Sequence, residues 1–411
     1  MPERAISTTW RSFSLHLALF VAAFAIYTAS GCWRVTPYNA HVYLADAFLN
    51  GRLHLVDPPG HFELAWHEGR AYLNYGFAPA LLMLPLVAIW GQSVHQALLT
   101  AALGALTVNI WWSILKRLAL STRLRVWLLV LWALGSPVWF TAGRPGTTWF
   151  LMHVVTILGL SLAIRECLGA RRGVLVALYL GLAISSRQLS VLTMPIFLYW
   201  LWRAAPGGAP DRVWPDRLRR LFGFGLVTGG IMGINGLYNF LRFDDWFDNG
   251  YARFIAKDHP PYGIFSPSYL GDRLRNYFWH WPKPVTWVWP PAAPDGASRW
   301  PIRWLDPSLD GPPLWLSYPG LWLLFWASFR TWENRLLMFA AVLAFMPYLF
   351  YYWSGFTQFG CRYFMDVWPL FMVVIADAAR TAPPRVLYLV TCLGILVELW
   401  GISAWAWQGW G

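Results

Sequence analysis

Eleven apolar runs, most of them roughly 15 to 22 residues long, follow one another along this chain, and runs of that length and number belong in a bilayer. They lie near 14–30, 93–115, 126–142, 149–168, 174–186, 189–202, 221–241, 314–329, 336–353, 363–379 and 386–404. The chain lacks the residues to coat such a mass for water. Only 13% of its 411 residues are charged and 57% are hydrophobic, against about 25% charged in a soluble domain. Lipid tails require no polar coat. The expected fold is an all-α polytopic membrane protein, a bundle of about eleven transmembrane helices forming one domain over 1–411.

The net charge of +12 does not point to nucleic acid, because the basic residues sit in short clusters between apolar runs and form no stripe on one face. Their distribution sets the topology. One further apolar stretch, Phe77 to Trp90, is short and carries Pro79 and Pro85. If it lies in the outer interface without crossing, 18 of the 32 Lys and Arg residues fall on the inner side with only five acids. That parity predicts an inner N-terminus and an outer C-terminus. The first run, from Ser14 to Ser30, lacks a small-residue cleavage site and is expected to be a retained helix. Two large outer segments result, 31–92 and 242–313, with short outer loops at 143–148, 185–189 and 354–362. Function is expected there, because these segments are mixed in charge and rich in His, Trp, Tyr and Pro, whereas the inner loops are short and basic.

The first outer segment opens with Thr36 to Leu53, where Val42, Ala45, Phe48 and Leu49 have helical spacing and Gly51 supplies a stop. Asp46 falls on the polar side of that helix. A metal would have to draw on His41, His54, His61 and His67 with Asp57, Glu63 and Glu68, but no H-x-x-x-H or H-E-x-x-H pair occurs. No metal ligands are assigned, and a divalent cation is left open. Cys32, Cys167, Cys361 and Cys392 have no metal spacing, although Cys32 and Cys361 both fall at outer ends of spans and are expected to approach each other. Trp279, Trp281, Trp287, Trp289, Trp300 and Trp304 crowd the second outer segment and read first as an interfacial belt. Gly225, Gly229, Gly233 and Gly236 predict a helix against which a neighbour packs closely. No phosphate-cradling or dinucleotide-binding glycine motif is present.

Four stretches together resemble a known family. Tyr43-Leu44-Ala45 through Leu49-Asn50-Gly51 follows the first span, and Gly69-Arg70-Ala71-Tyr72 leads to Phe77-Ala78-Pro79. Further along stand Gly181-Leu182-Ala183-Ile184-Ser185-Ser186-Arg187 and Gln358-Phe359-Gly360-Cys361-Arg362-Tyr363-Phe364-Met365-Asp366. This set resembles the GT-C fold glycosyltransferases, which include protein O-mannosyltransferases and the lipid A aminoarabinose transferases, and a glycosyltransferase-like group of bacterial membrane proteins. The resemblance implies a GT-C-like bundle in the bacterial inner membrane, with juxtamembrane helices in its first periplasmic loop. It also implies inverting transfer of a hexose or pentose from a polyprenyl-phosphate sugar to a lipid, glycan or protein acceptor.

In that family an acid in the first loop, about four residues before the helix tyrosine, acts as base. Asn39 stands at that place, and a neutral amide cannot take a proton. Asp46, Asp57 or Glu63 must then serve, with Asp46 the first choice and Glu63 the second. Arg187 and Arg362, at outer mouths of spans, are candidates for the donor phosphate, although Arg362 could pair instead with Asp366 one turn on. Asn39, Tyr43, Tyr72, Gln358 and Tyr363 are the expected substrate groove. A flippase or transporter of lipid-linked sugar, and a non-catalytic glycan- or lipid-binding relative, stay open as alternatives.

Overall fold

In the computed structural model, which describes residues 2–31, 35–144, 146–203, 213–284, 305–306, 311–355 and 358–407, each of the eleven apolar runs is helical over most of its length. Helix α1 (Pro2–Ser30) leads into segment 31–92, expected to be outer, which holds α2 (Ala40–Leu49), strands β1 (Leu64–His67) and β2 (Arg70–Leu73), and α3 (Ala78–Trp90). Then come α4 (Gln96–Arg117), α5 (Thr122–Ala133), α6 (Val138–Gly143), α7 (Thr148–Cys167), α8 (Gly173–Ile184), α9 (Met194–Trp202) and α10 (Val213–Phe243). The second outer segment contains α11 (Tyr251–Ile255), α12 (Leu270–Leu274) and the short pair β3 (Lys283–Pro284) and β4 (Leu305–Asp306). The chain finishes with α13 (Leu314–Ser317), α14 (Trp332–Leu349), α15 (Trp368–Ala378) and α16 (Pro384–Trp407).

Among the described residues five helices are long and apolar enough to cross a bilayer: Phe13–Ser30, Gln96–Arg117, Thr148–Cys167, Trp214–Phe243 and Pro384–Ala404. Proline interrupts several of the remaining runs. The run 126–142 breaks before Pro137 into α5 and α6, and the run 314–329 breaks at Pro319 into α13 and a 3-10 stretch, Pro319–Trp326. A 3-10 stretch, Gln188–Thr193, precedes α9 with Pro195 in its first turn, and Arg362–Asp366 precedes α15 with Pro369 likewise placed. Proline lacks the N–H that would continue the ladder, and its ring crowds the preceding turn.

Helix α7 is the axis of the bundle, with 89% of its length buried, whereas α10 is peripheral at 17%. Helices α4 and α7 run side by side in the same direction. Gln96 Nε2 donates to the Gly146 carbonyl where they begin, and further along Trp111 Nε1 donates to Ser161 Oγ at 3.0 Å. Helix α1 runs the other way, its Tyr27 ring packed near Gly104 and its His16 paired with Asn109 at 2.8 Å. Within lipid, such packing and interhelical hydrogen bonds hold helices together in place of a hydrophobic driving force.

The all-helical expectation misses the hairpin. Leu64 pairs with Leu73 and His67 with Arg70, leaving the two-residue turn Glu68-Gly69 with φ of +48° and +73°. Both values are those of a type I′ turn, in which Gly69 takes its positive φ without a side-chain penalty. Gly76 then lets this segment lie on the 185–186 turn, because a Cβ there would stand 2.3 Å from the Ser185 carbonyl oxygen. Helix α3, at 13 residues, spans about 20 Å, short of the ~30 Å hydrocarbon core.

Among the described residues the glycine row of α10 seats a neighbour closely at Gly236, where a Cβ would stand 2.7 Å from the Trp246 ring, and is otherwise open. Nothing lies within 4 Å of a Cβ built on Gly225, Gly229, Gly230 or Gly233. The helix packs through the adjoining face of Phe224, Thr228 and Asn239 instead, and the close approach to α8 comes from Gly181 meeting Ile231. Cys361 is buried, while Cys32 lies outside the described residues, as do Trp287, Trp289, Trp300 and Trp304.

His41 on α2 is fully buried, with Nε2 on the Gly76 carbonyl at 3.1 Å, and burial pulls its imidazole down to about 4. In the unfolded chain it titrates near 6.5, so between those values the unfolded chain binds a proton that the folded chain refuses. Stability therefore falls as pH drops through that window. Melting temperature measured from about pH 7 to pH 4 should decline, and the decline should be shallower in His41→Gln.

Candidate active site

Segment 31–92, the 185–188 turn, the C-terminal ends of α10 and α14 and the N-terminal end of α7 enclose a cavity of about 370 Å³. Its wall contains Arg187, Arg242 and Arg362, and among its described lining residues there is no Asp or Glu. The three guanidinium groups are held very differently, and the difference defines the site.

Asp366, buried at the start of α15, fixes Arg187. The arginine Nε donates to Asp366 Oδ2 at 2.6 Å, and Nη2 donates to Tyr348 Oη at 2.8 Å. Tyr348 Oη in turn donates to Asp366 Oδ2 at 2.9 Å, while His153 Nδ1 donates to Oδ1 at 2.7 Å. Tyr348 and Tyr363 stack with centroids 4.4 Å apart, and the Arg187 guanidinium lies over both rings. The carboxylate is thus saturated from α7, α14 and the 185–187 turn at once.

Arg362, one turn before Asp366, does not pair with it. Its guanidinium lies 5.7 Å from the centroid of Trp149 and 5.5 Å from that of Tyr363, and its buried Nε has no hydrogen-bond partner among the described residues. Gln358 orients it from behind, Oε1 accepting the Arg362 backbone N–H at 3.0 Å. Arg242 is spent on backbone and amide oxygens, with Nη1 on the Leu73 carbonyl at 2.7 Å and Nη2 on Asn239 Oδ1 at 3.0 Å. Among the described residues Arg362 is therefore the lining cation with neither a carboxylate nor a full set of acceptors.

Of the expected site residues, the cavity gathers Arg187, Arg362 and Tyr363. Glu63 stands immediately behind the wall: its Oε2 accepts from Trp149 Nε1 at 2.9 Å and from the Tyr75 hydroxyl, and both donors line the cavity. Asn39, half-buried, begins α2 beside Tyr38, whose ring lies 5.2 Å from Trp149. Asp46 is not among the lining residues. Its carboxylate accepts from Gln92 Nε2 at 3.1 Å and faces Arg52 at 3.9 Å. Tyr43 packs edge-on against Phe62, and Tyr72 is buried against Phe243, so neither lines the cavity.

Sequence reasoning missed Asn74, Tyr75, Trp149, Tyr348 and the His153–Asp366 pair. A lone histidine inside the apolar α7 run was the available signal, since an ionisable group within a span calls for a partner. Asn74 is a second overlooked group, because it lines the cavity while its buried side-chain oxygen and nitrogen both lack partners among the described residues. Such atoms cost about 1–3 kcal/mol each unless something hydrogen-bonds to them.

His67, Glu68 and Asp244 bring ligand atoms within 4.8 Å of one another at the hairpin tip and the end of α10, but none of them lines the cavity. Arg253 Nη1 lies 3.1 Å from His67 Nδ1, which must accept, so the ring proton sits on Nε2 facing Asp244 at 3.4 Å. That nitrogen then has no lone pair for a cation, and the set does not fit a metal as it stands.

No protein-family model and no curated protein sequence matches the chain. A solved structure of ArnT from Cupriavidus metallidurans bound to undecaprenyl phosphate does, with a TM-score of 0.50 at 13% identity over 91% of this chain and 62% of that one. The chain has the GT-C fold. Archaeoglobus fulgidus oligosaccharyltransferase matches at TM-score 0.48 and 12% identity, over 98% of this chain and 56% of that one. The S. cerevisiae Pmt1-Pmt2 O-mannosyltransferase bound to its sugar donor matches at TM-score 0.38 and 13% identity, over 64% and 36%. This GT-C-fold chain spans only 36% to 62% of the length of these solved proteins.

The two arginines should separate in a stability measurement. Removing Asp366 strands a buried guanidinium, a loss of about 3–5 kcal/mol, so Asp366→Ala should lower the melting temperature sharply. Arg362→Ala removes ring contacts worth about 0.5–1 kcal/mol and should leave melting nearly unchanged.

Proposed function

We propose that this chain is an inverting membrane glycosyltransferase that moves a hexose or pentose from a polyprenyl-phosphate donor to a lipid, glycan or protein acceptor at the periplasmic face of a bacterial inner membrane. The observation that carries the reading is the meeting, at one cavity, of the uncompensated Arg362 with the Glu63 carboxylate bonded to Tyr75 and Trp149 in its wall. Transfer of this kind needs a proton acceptor for the attacking hydroxyl and a cation for the departing phosphate. On this reading the acceptor oxygen bonds to the anomeric carbon while its proton passes to Tyr75 Oη and the tyrosine proton passes to Glu63. The bond from the anomeric carbon to the phosphate oxygen breaks, and its electron pair leaves with the lipid phosphate toward Arg362.

Arg187, already neutralised by Asp366, positions Tyr348 and Tyr363 for the sugar ring. The unpartnered amide of Asn74 supplies a donor and an acceptor for sugar hydroxyls. Undecaprenyl phosphate in the ArnT structure supports the donor class. Asp46 is displaced as first choice because its carboxylate is held by Gln92 outside the cavity wall.

Loss of a general base costs about 10²–10⁴ in rate. Transfer assayed with a polyprenyl-phosphate sugar should fall by that amount in Glu63→Gln and stay near wild type in Asp46→Asn. The opposite pattern would return the role to Asp46. Full activity in the double variant would remove the carboxylate mechanism and favour a binding protein.

The topology belongs to the same proposal: eleven crossings, α3 lying in the outer interface, and the outer segments 31–92 and 242–313 flanking one transmembrane domain. A reporter fused after Gly91 should read periplasmic and one after Ser121 cytoplasmic. The reversed pair would mean that α3 crosses.

A further inference from the structure

A second polar cavity, of about 350 Å³, lies between α1, α4 and α7 and is lined by His16, Ser113, Lys116, Arg117 and Arg165. It sits at the end of the bundle away from the candidate active site. Met152, in the wall of the first cavity, and Arg165, in the wall of the second, are 13 residues apart on one helix, about 20 Å along its axis. Nothing in the transfer reading uses it.

Three cations share this cavity and no acid lines it. The adjacent acid in the sequence, Glu166, is committed elsewhere: its carboxylate accepts from the Arg172 backbone N–H at 3.1 Å, from Arg172 Nε at 2.8 Å and from Arg172 Nη2 at 2.9 Å. Arg117 Nη1 donates to the Arg165 carbonyl, which fixes the guanidinium without offsetting its charge. Among the described residues Lys116, Arg117 and Arg165 form no salt bridge. Basic residues at a membrane face ordinarily spread into water, where their repulsion is screened. Here Lys116 and Arg117, although exposed, share one cavity with the half-buried Arg165, and an anion seated among the three offsets that repulsion.

The surroundings say what carries that anion. On α1, Phe13, Leu15 and Leu17 flank His16 and are 60%, 42% and 51% exposed, so the cavity opens beside a hydrocarbon-facing surface at the end of a span. A free ion gains nothing from that surface, whereas an amphiphile places its chains on it and its phosphate among the cations. We propose that this cavity binds the phosphodiester headgroup of an anionic phospholipid, in the leaflet opposite the candidate active site.

The test uses the full chain, purified in uncharged detergent, with bound lipid counted by native mass spectrometry. Dioleoylphosphatidylglycerol should be retained, dioleoylphosphatidylcholine should not, and inorganic phosphate should fail to displace the former. Each basic residue near a membrane surface contributes about fivefold in affinity. Lys116→Gln should therefore weaken retention about fivefold, and the combined Lys116→Gln, Arg117→Gln, Arg165→Gln variant about a hundredfold. Equal retention of phosphatidylcholine, or wild-type retention in the triple variant, overturns the proposal. Displacement by inorganic phosphate overturns the lipid as the source of the anion. Should the triple variant fail to fold, the exposed Lys116 decides alone, and unchanged retention in Lys116→Gln overturns the site.

Discussion

The buried carboxylate of Asp366 is the constraint on which the outer half of the molecule depends. It accepts hydrogen bonds from His153 on α7, from Arg187 after α8 and from Tyr348 on α14, three segments far apart in sequence. Taking a carboxylate and a guanidinium out of water is costly, and the arrangement is tolerable only because the partners come preassembled and leave few lone pairs idle. Its value is specificity. A pair of this kind permits one relative placement of α7, α14 and α15, and that placement stacks Tyr348 on Tyr363 and brings Trp149 beside Arg362.

The chemistry of the cavity follows from how charge is divided there. Arg187 and Asp366 cancel, and Arg242 is dispersed over carbonyl and amide oxygens. Among the described residues nothing answers the charge of Arg362, which is held in place through its backbone by Gln358 and through its plane by two aromatic rings. Three arginines in one wall therefore amount to one anion-seeking group with a structural frame around it.

Much of the architecture was legible in the sequence because a bilayer admits few solutions. Apolar runs of spanning length become helices, and each of the eleven does so here over most of its length. The breaks at Pro137, Pro319 and Pro369 were equally written in the chain. The hairpin Leu64–Leu73 was not foreseen because its strands are four residues each and do not alternate apolar with polar residues. The glycine row of α10 misled because spacing shows that close packing is possible on a face without showing that a neighbour occupies it. At the site, Arg187 and Arg362 were found by their isolation in apolar context. Their different fates were hidden, since Asp366 lies one turn from Arg362 but bonds to a residue 179 positions away. Local spacing names candidate ion pairs, and only the tertiary fold chooses among them.

The same point bears on the amide at Asn39. Position along the chain made Asp46 the first choice, because it lies on the helix that Asn39 begins. Geometry favours Glu63, which precedes the hairpin and is carried by it to the outer end of α7. Tyr38 beside Trp149 places the start of α2 next to the residue that donates to Glu63. Glu63 is also bonded to a tyrosine hydroxyl in the cavity wall, and in the proposed transfer that hydroxyl relays the proton between the substrate and the half-buried acid. On that reading the amide at Asn39 marks a base that has moved to a neighbouring element, and the hairpin is the part of the fold that makes the move possible.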